Sequence, residues 1–255
     1  MLRLFGRRSE RAKTGTVRPS VPDGTRAYAV GDIHGRLDLL HDLLRQIEAD
    51  RAQHSAARHV LIFLGDYIDR GTQSRAVVEF LRTHAFTGFE THYLRGNHEQ
   101  IMLDFLREPT NGPMWLRNGG AATLASYGVP ASALEVDVDA IRQLQIDFSR
   151  ALPDEHLAFL RGLESRHTEG SYFFVHAGVR PGVPLDEQDP HDLIWMRGEF
   201  LNSKADHGAI IVHGHSIQTE PEIRANRIGI DTGAYGSGTL TCLVLEGEGR
   251  WLIQT

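Results

Sequence analysis

Cysteine is nearly absent. Cys242 is the single one in 255 residues, so no intramolecular disulfide can form. It lies in the apolar run "TLTCLVLE", which predicts a buried, inert thiol and a chain that works in a reducing cytoplasm. The same scarcity excludes a zinc site built on thiolates and an iron–sulfur cluster. Long apolar runs are missing too, and nothing approaches the ~20 residues of a membrane-spanning helix. Internal repeats and low-complexity tracts are absent. Positive charge is scarce outside the first residues. Residues 1–24 hold six basic side chains against Glu10 and Asp23, a net +4, so with −6 overall the other 231 residues carry −10. An acidic body excludes a broad nucleic-acid footprint, although carboxylates gathered around cations would produce the same balance. The opening stretch "RRSERAKTGTVRPSVPDG" has no periodicity and lacks the apolar core of a secretory signal. Residues 1–24 are therefore expected to be a solvated, disordered basic tail.

What is present is one kind of junction, five times over. "AYAV" leads into Gly31-Asp32-Ile33-His34-Gly35, and "HVLIFL" into Gly65-Asp66-Tyr67-Ile68-Asp69-Arg70-Gly71. "THYL" leads into Arg95-Gly96-Asn97-His98-Glu99, "YFFV" into His176-Ala177-Gly178, and "AIIV" into His213-Gly214-His215. Each apolar run has strand length with β-branched or aromatic content, and each stops at a glycine-containing turn. Amphipathic helical patterns follow the first three, for instance "EQIMLDFLRE". Strand, polar tip and helix in succession describe an α/β fold, whose ligands bind beyond the carboxyl ends of strands. Any one junction alone reads as a helix cap or a satisfied structural histidine. Five in series, supplying Asp, Asn and His together, point to metal ligation.

Oxygen and nitrogen donors without cysteine suit Mn²⁺ first, with Fe or Zn²⁺ as alternatives. Two ions sharing a carboxylate would account for so many donors, and such pairs clamp the oxygens of an in-line phosphoryl displacement. Arg70 follows Asp66 in the same turn, and its planar fork suits phosphate oxygens. His98, straight after Asn97, stands where a leaving-group acid is wanted, and Asp69 is available to orient it. His213 and His215 are two apart, so spacing alone allows both to be ligands.

The blocks Gly31–Gly35, Gly65–Gly71 and Gly96–Glu99 together resemble the three signature motifs of the phosphoprotein phosphatases, serine/threonine phosphatases within the metallophosphoesterases. "RGNHEQIMLDFL", "WLRNGG", "LIWMR", "GHS" and "IDTGA" are similar to the bacterial and phage branch typified by the lambda phosphatase, and the likeness runs from about residue 27 to the end. The resemblance implies a four-layer calcineurin-like fold, a β-sandwich of two mixed sheets flanked by helices. Residues 25–255 would form the catalytic domain, with a helical lobe over about residues 100–165. It further implies that Asp32, His34, Asp66, Asn97, His176 and His215 hold two metals, with Asp66 bridging. Arg70, Arg197 and Asn97 would bind phosphate, and His98 with Asp69 would protonate the leaving alkoxide while a hydroxide bridging the metals attacks phosphorus. His213 would be a neighbour of the ligands and not one of them. Ile217 stands where the wider superfamily often has a second histidine, which favours the phosphatases over generic phosphodiesterases.

The implied partners are phosphorylated proteins or small phosphoesters, with no nucleic acid and no membrane span. The sequence leaves the oligomeric state open. Two rival functions fit the same motifs. One is hydrolysis of dinucleoside polyphosphates such as diadenosine tetraphosphate, whose symmetrical hydrolases resemble the same branch but tend to carry Asp at the position of Glu99. The other is an inactive scaffold, which requires a broken ligand set, and every ligand position holds a donor.

Overall fold

A computed structural model describes residues 18–130 and 137–255. Among them the strands are β1 (Thr25–Val30), β2 (Arg58–Phe63), β3 (Glu90–Tyr93), β4 (His167–Glu169), β5 (Tyr172–Phe174), β6 (Ile210–His213), β7 (Glu222–Ile223), β8 (Arg227–Gly229), β9 (Thr241–Glu246) and β10 (Gly249–Gln254). The α-helices are α1 (Leu37–Ala52), α2 (Ser74–Thr83), α3 (Asn97–Arg107), α4 (Gly112–Trp115), α5 (Ala121–Ser126), α6 (Val138–Ala151), α7 (Asp154–Arg161), α8 (Pro190–Trp195), α9 (Gly198–Leu201) and α10 (Ala234–Ser237).

Two mixed sheets result, one in the order β10-β9-β1-β2-β3 and the other β4-β5-β6-β8-β7. In the first, β1, β2 and β3 run parallel, β9 is antiparallel to β1, and β10 is antiparallel to β9 as the closing hairpin. In the second, β5, β6 and β8 are parallel and β4 and β7 are antiparallel edges. The layering follows from alternation along each strand. Ala27, Ala29, Val60, Ile62, Leu243 and Leu245 face inward and meet Tyr172, Phe174, Ile210, Val212 and Ile228 of the other sheet. Their neighbours Tyr28, Val30, Leu61, Phe63 and Val244 face outward, where Leu40 and Leu43 of α1 and Val77 and Leu81 of α2 cover them. On the far side Phe173 and Ile211 pack under Leu193 of α8 and Phe200 of α9. Helix, sheet, sheet and helix make the four layers expected. Cys242 is fully buried, and burial pushes its thiol far up from its ordinary value.

Helices α3 to α7 occupy the stretch expected to be helical, and Phe105, Trp115 and Phe148 form its aromatic centre. The expected tail needs correction at its near end. Residues 1–17 lie outside the described residues, but 18–24 belong to the fold. Val21 is 1% exposed among the residues between the sheets, and its N–H donates to Gly247 O at 3.2 Å. One apolar side chain in a polar stretch carried too weak a pattern to move the boundary.

Candidate metal and phosphate site

The site lies beyond the C-terminal ends of β1, β2, β3, β5, β6 and β8. A sharp reversal at each tip brings the polar residues together, and the backbone records the cost. Among the described residues, the non-glycine positions with positive φ are His34, Asp66, Asp69, Arg70 and His215, all at these tips. Left-handed backbone costs an L-residue of order 1 kcal/mol or more, so surrounding contacts must hold it. Glu99 does much of that holding in the second block. Its fully buried carboxylate accepts the N–H groups of Asp66 and Gly96 at 3.0 Å each and of Tyr67 at 2.8 Å. Arg70 N–H donates to Gly119 O at 3.2 Å, where the π-helical turn Leu116–Gly120 comes down on the loop. Glycine is required at two close approaches. A Cβ on Gly96 would collide with Asp66 Oδ1, and one on Gly214 with Asp32 Oδ1.

Asp66 stands at the centre. His34 Nε2 is 3.5 Å from its Oδ2, and His176 Nε2 is 3.4 Å from its Oδ1. His34 Nδ1–H donates to Ile68 O at 2.8 Å and His176 Nδ1–H to Leu64 O at 2.9 Å. Both rings are thereby fixed with Nε2 facing the carboxylate, as metal-binding imidazoles are usually held. Asn97 Oδ1 lies 3.0 Å from His176 Nε2. Two groups of donors therefore share Asp66: His34, Asp66 and His98 in one, and Asp66, His176 and His215 in the other. Asp32 sits alongside, its two oxygens accepting the His215 N–H at 3.2 and 3.1 Å. Six of the expected residues thus converge. His98 joins the first group by proximity, yet its Nδ1–H is committed to Asp69 Oδ2 at 2.7 Å. Its Nε2 faces the centre, 3.7 Å from Asp66 Oδ2 and 3.3 Å from Arg70 Nη2.

Asp69 is fully buried and tied on every side. It accepts from Trp115 Nε1 at 3.0 Å and from Thr123 Oγ1 at 2.6 Å as well as from His98. Arg70 lies 4.8 Å over the Tyr235 ring. Arg197, exposed at the other rim, donates through Nε to His215 Nε2 at 2.9 Å. His213 stays outside both groups. Strand β6 ends at His213, and the left-handed turn at His215 sends the two imidazoles apart, His213 against Phe200 at 5.1 Å.

The electrostatics suit cations. Burial, then repulsion from Asp231, pushes the Asp32 carboxyl well above its ordinary value. Burial likewise pushes up Asp231, and it drives His34 down to about 3. Burial alone would lower His176, but the Asp66, Asp32 and Glu99 carboxylates hold its imidazolium up at about 10. Carboxylates so crowded in a dry site call for compensating positive charge. Carboxylate, carboxamide and imidazole donors without thiolate match hard or borderline divalent ions. The residues therefore fit a metal pair.

Sequence reasoning missed Asp231, Trp115, Thr123, Tyr235 and the supporting role of Glu99. Asp231 had a signal, because "RIGIDTG" is a sixth apolar run ending in a polar tip. Glu99 had one as well, the capping-box position at the start of α3.

Comparison with known proteins agrees with this geometry. The calcineurin-like phosphoesterase family matches residues 25–236. Serine/threonine-protein phosphatase 1 of Salmonella typhimurium is 30% identical over 225 residues, covering 84% of this chain and 89% of that protein. A Bis(5'-nucleosyl)-tetraphosphatase PrpE of Bacillus mycoides, described as asymmetrical, is 24% identical over 233 residues, covering 84% and 88%. The crystal structure of a cold-active protein tyrosine phosphatase superposes with TM-score 0.59 at 17% identity, over 91% of this chain and 81% of that one, a likeness of fold. With a shared carboxylate between two donor groups and a family match across most of its length, the chain belongs to the calcineurin-like phosphoesterases.

Proposed function

We propose that this protein removes phosphate from phosphoserine and phosphothreonine side chains, using two divalent cations with Mn²⁺ first among them. Asp32, His34 and Asp66 would hold one ion, and Asp66, Asn97, His176 and His215 the other. When bound, such a pair withdraws charge from the phosphoryl group and acidifies water. Everything else falls to the chain itself. Arg70, beside His98, and Arg197, beside His215, grip the non-bridging phosphate oxygens. His98 holds a proton at Nε2 and delivers it to the departing serine or threonine oxygen. Its imidazolium is raised above the ordinary value because the Asp66 and Asp69 carboxylates outweigh burial, which alone would lower it. Asp69, fixed by Trp115 and Thr123, keeps that Nε2 aimed at the centre. A single thiol buried at Cys242 suits a reducing cytoplasm.

The observation carrying this reading is the His98–Asp69 pair at 2.7 Å beside Asp66, since an alkoxide leaving group needs an acid. Nucleotide leaving groups are phosphate oxygens and need one less. The 24%-identical tetraphosphatase, itself described as asymmetrical, makes dinucleotide cleavage the second reading. Metal-stripped protein with Mn²⁺ added back should be assayed side by side on a phosphothreonine peptide, a nitrophenyl monoester and diadenosine tetraphosphate. We expect kcat/KM on the peptide to exceed that on the dinucleotide at least tenfold. The reverse order would give the function to nucleotides.

A further inference from the structure

A second group of metal-capable side chains lies away from the strand tips, at one open edge of the sandwich. Strand β3 is the edge of the first sheet and β4 the edge of the second. His92 on β3, His167 on β4 and Glu164 just before β4 each place a donor atom within 4.8 Å of the others. Their positions are fixed by backbone. Glu164 N–H donates to Tyr93 O at 2.8 Å and Arg95 N–H to Glu164 O at 2.8 Å, which pins Glu164 to the end of β3. The two imidazoles stack with centroids 3.7 Å apart.

We propose that His92, Glu164 and His167 bind one divalent transition ion, Zn²⁺ being the best match, which staples the two sheets together. Two imidazoles and a carboxylate are an established zinc donor set, with a fourth position left for water. Glu90 supplies the outer support, since His92 Nε2–H donates to its Oε1 at 3.1 Å and leaves Nδ1 facing Glu164 at 3.1 Å. A nitrogen lone pair against a carboxylate is repulsive unless a cation stands between them. A proton on His92 would relieve that contact alone. It would leave His167 Nε2 as it is, buried with no hydrogen-bond partner and 3.5 Å from the nearest carboxylate oxygen, on Glu169. An ion relieves both. Charge favours it as well, because Glu90 and Glu169 share the guanidinium of Arg58, at 2.9 Å and 2.8 Å, while Glu164 is paired, among the described residues, only with His92. Burial, followed by repulsion from His92, lowers His167 from its ordinary value and keeps it ready to ligate. Glu164 is 44% exposed, so an ion can enter from solvent.

The test uses the full chain, stripped by chelator and dialysed against Zn²⁺. Wild type should bind one more ion than His167→Asn and than Glu164→Gln, the milder change if the first disturbs folding. Near 100 times its Kd the extra ion should raise the thermal midpoint by about 5–10 °C, a rise missing in both variants. Mn²⁺-supported turnover of a nitrophenyl monoester should stay within about twofold of wild type. Equal ion counts and equal Zn²⁺-dependent midpoints in wild type and variants would overturn the proposal.

Discussion

Asp66 belongs to both donor groups, standing 3.5 Å from His34 Nε2 and 3.4 Å from His176 Nε2 while accepting the His98 N–H at 3.1 Å. A neutral amide at that position cannot serve two divalent ions. Asp66→Asn should therefore lose turnover and one or both ions together, read by metal analysis after dialysis, and two tightly held ions per mutant chain would refute its shared role. His98→Asn should separate the two properties. Metal content should remain while turnover of an alkyl phosphate falls on the order of 10²–10⁴-fold, and nitrophenyl phosphate, with its better leaving group, should suffer less. Equal losses on both substrates would count against His98 as the acid. Gly214→Ala tests packing with no chemistry changed. The new Cβ must displace the Asp32 carboxylate, so the Kd for metal should rise tenfold or more at unchanged secondary structure. Much of this was legible in the sequence, because each donor sits within a few residues of the end of an apolar run. Trp115 and Thr123 were not, since nothing local tells that a tryptophan 46 residues from Asp69, or a threonine 54 residues away, will turn its donor to that carboxylate.

The loop Gly65–Arg70 is the most demanding element. It holds three non-glycine residues at positive φ, and its N–H groups converge on one buried carboxylate. Glu99→Gln turns amide hydrogens toward N–H donors on one side, leaving two of them unpaired in a dry site. Stability of the metal-free protein should fall by about 2–4 kcal/mol, read as a shift of the urea midpoint at unchanged slope. A loss below about 0.5 kcal/mol would mean that the loop holds its own shape. Strands β1, β2, β6 and β9 were visible as apolar runs because each buries residues on both faces. The short edge strands β4 and β7, three and two residues long, carried no readable period and exist because a neighbour offers a ladder to join. The spacing of His213 and His215 left both open as ligands for a related reason, since a period of two holds only while the strand lasts, and β6 stops at His213.

At the scale of the whole molecule, two sheets share one core and send their parallel strands toward one cluster of tips. The chain before β1 takes part in that core through Val21. Deleting residues 1–17 should leave thermal stability and turnover unchanged. Deleting 1–24 should cost about 2 kcal/mol from the lost burial of Val21 alone, seen as a lower thermal midpoint with turnover per folded chain retained. Equal midpoints for the two truncations would mean that Val21 contributes nothing to the core.

On the proposed function, the convergent tips hold two cations and phosphoester cleavage depends on them. The most direct measurement strips the protein with chelator, returns Mn²⁺ stepwise, and follows phosphate release from a phosphothreonine peptide alongside bound metal per chain. No release is expected from the stripped protein, and full activity on reaching two ions per chain. Phosphate release that persists undiminished in the metal-free protein would contradict it.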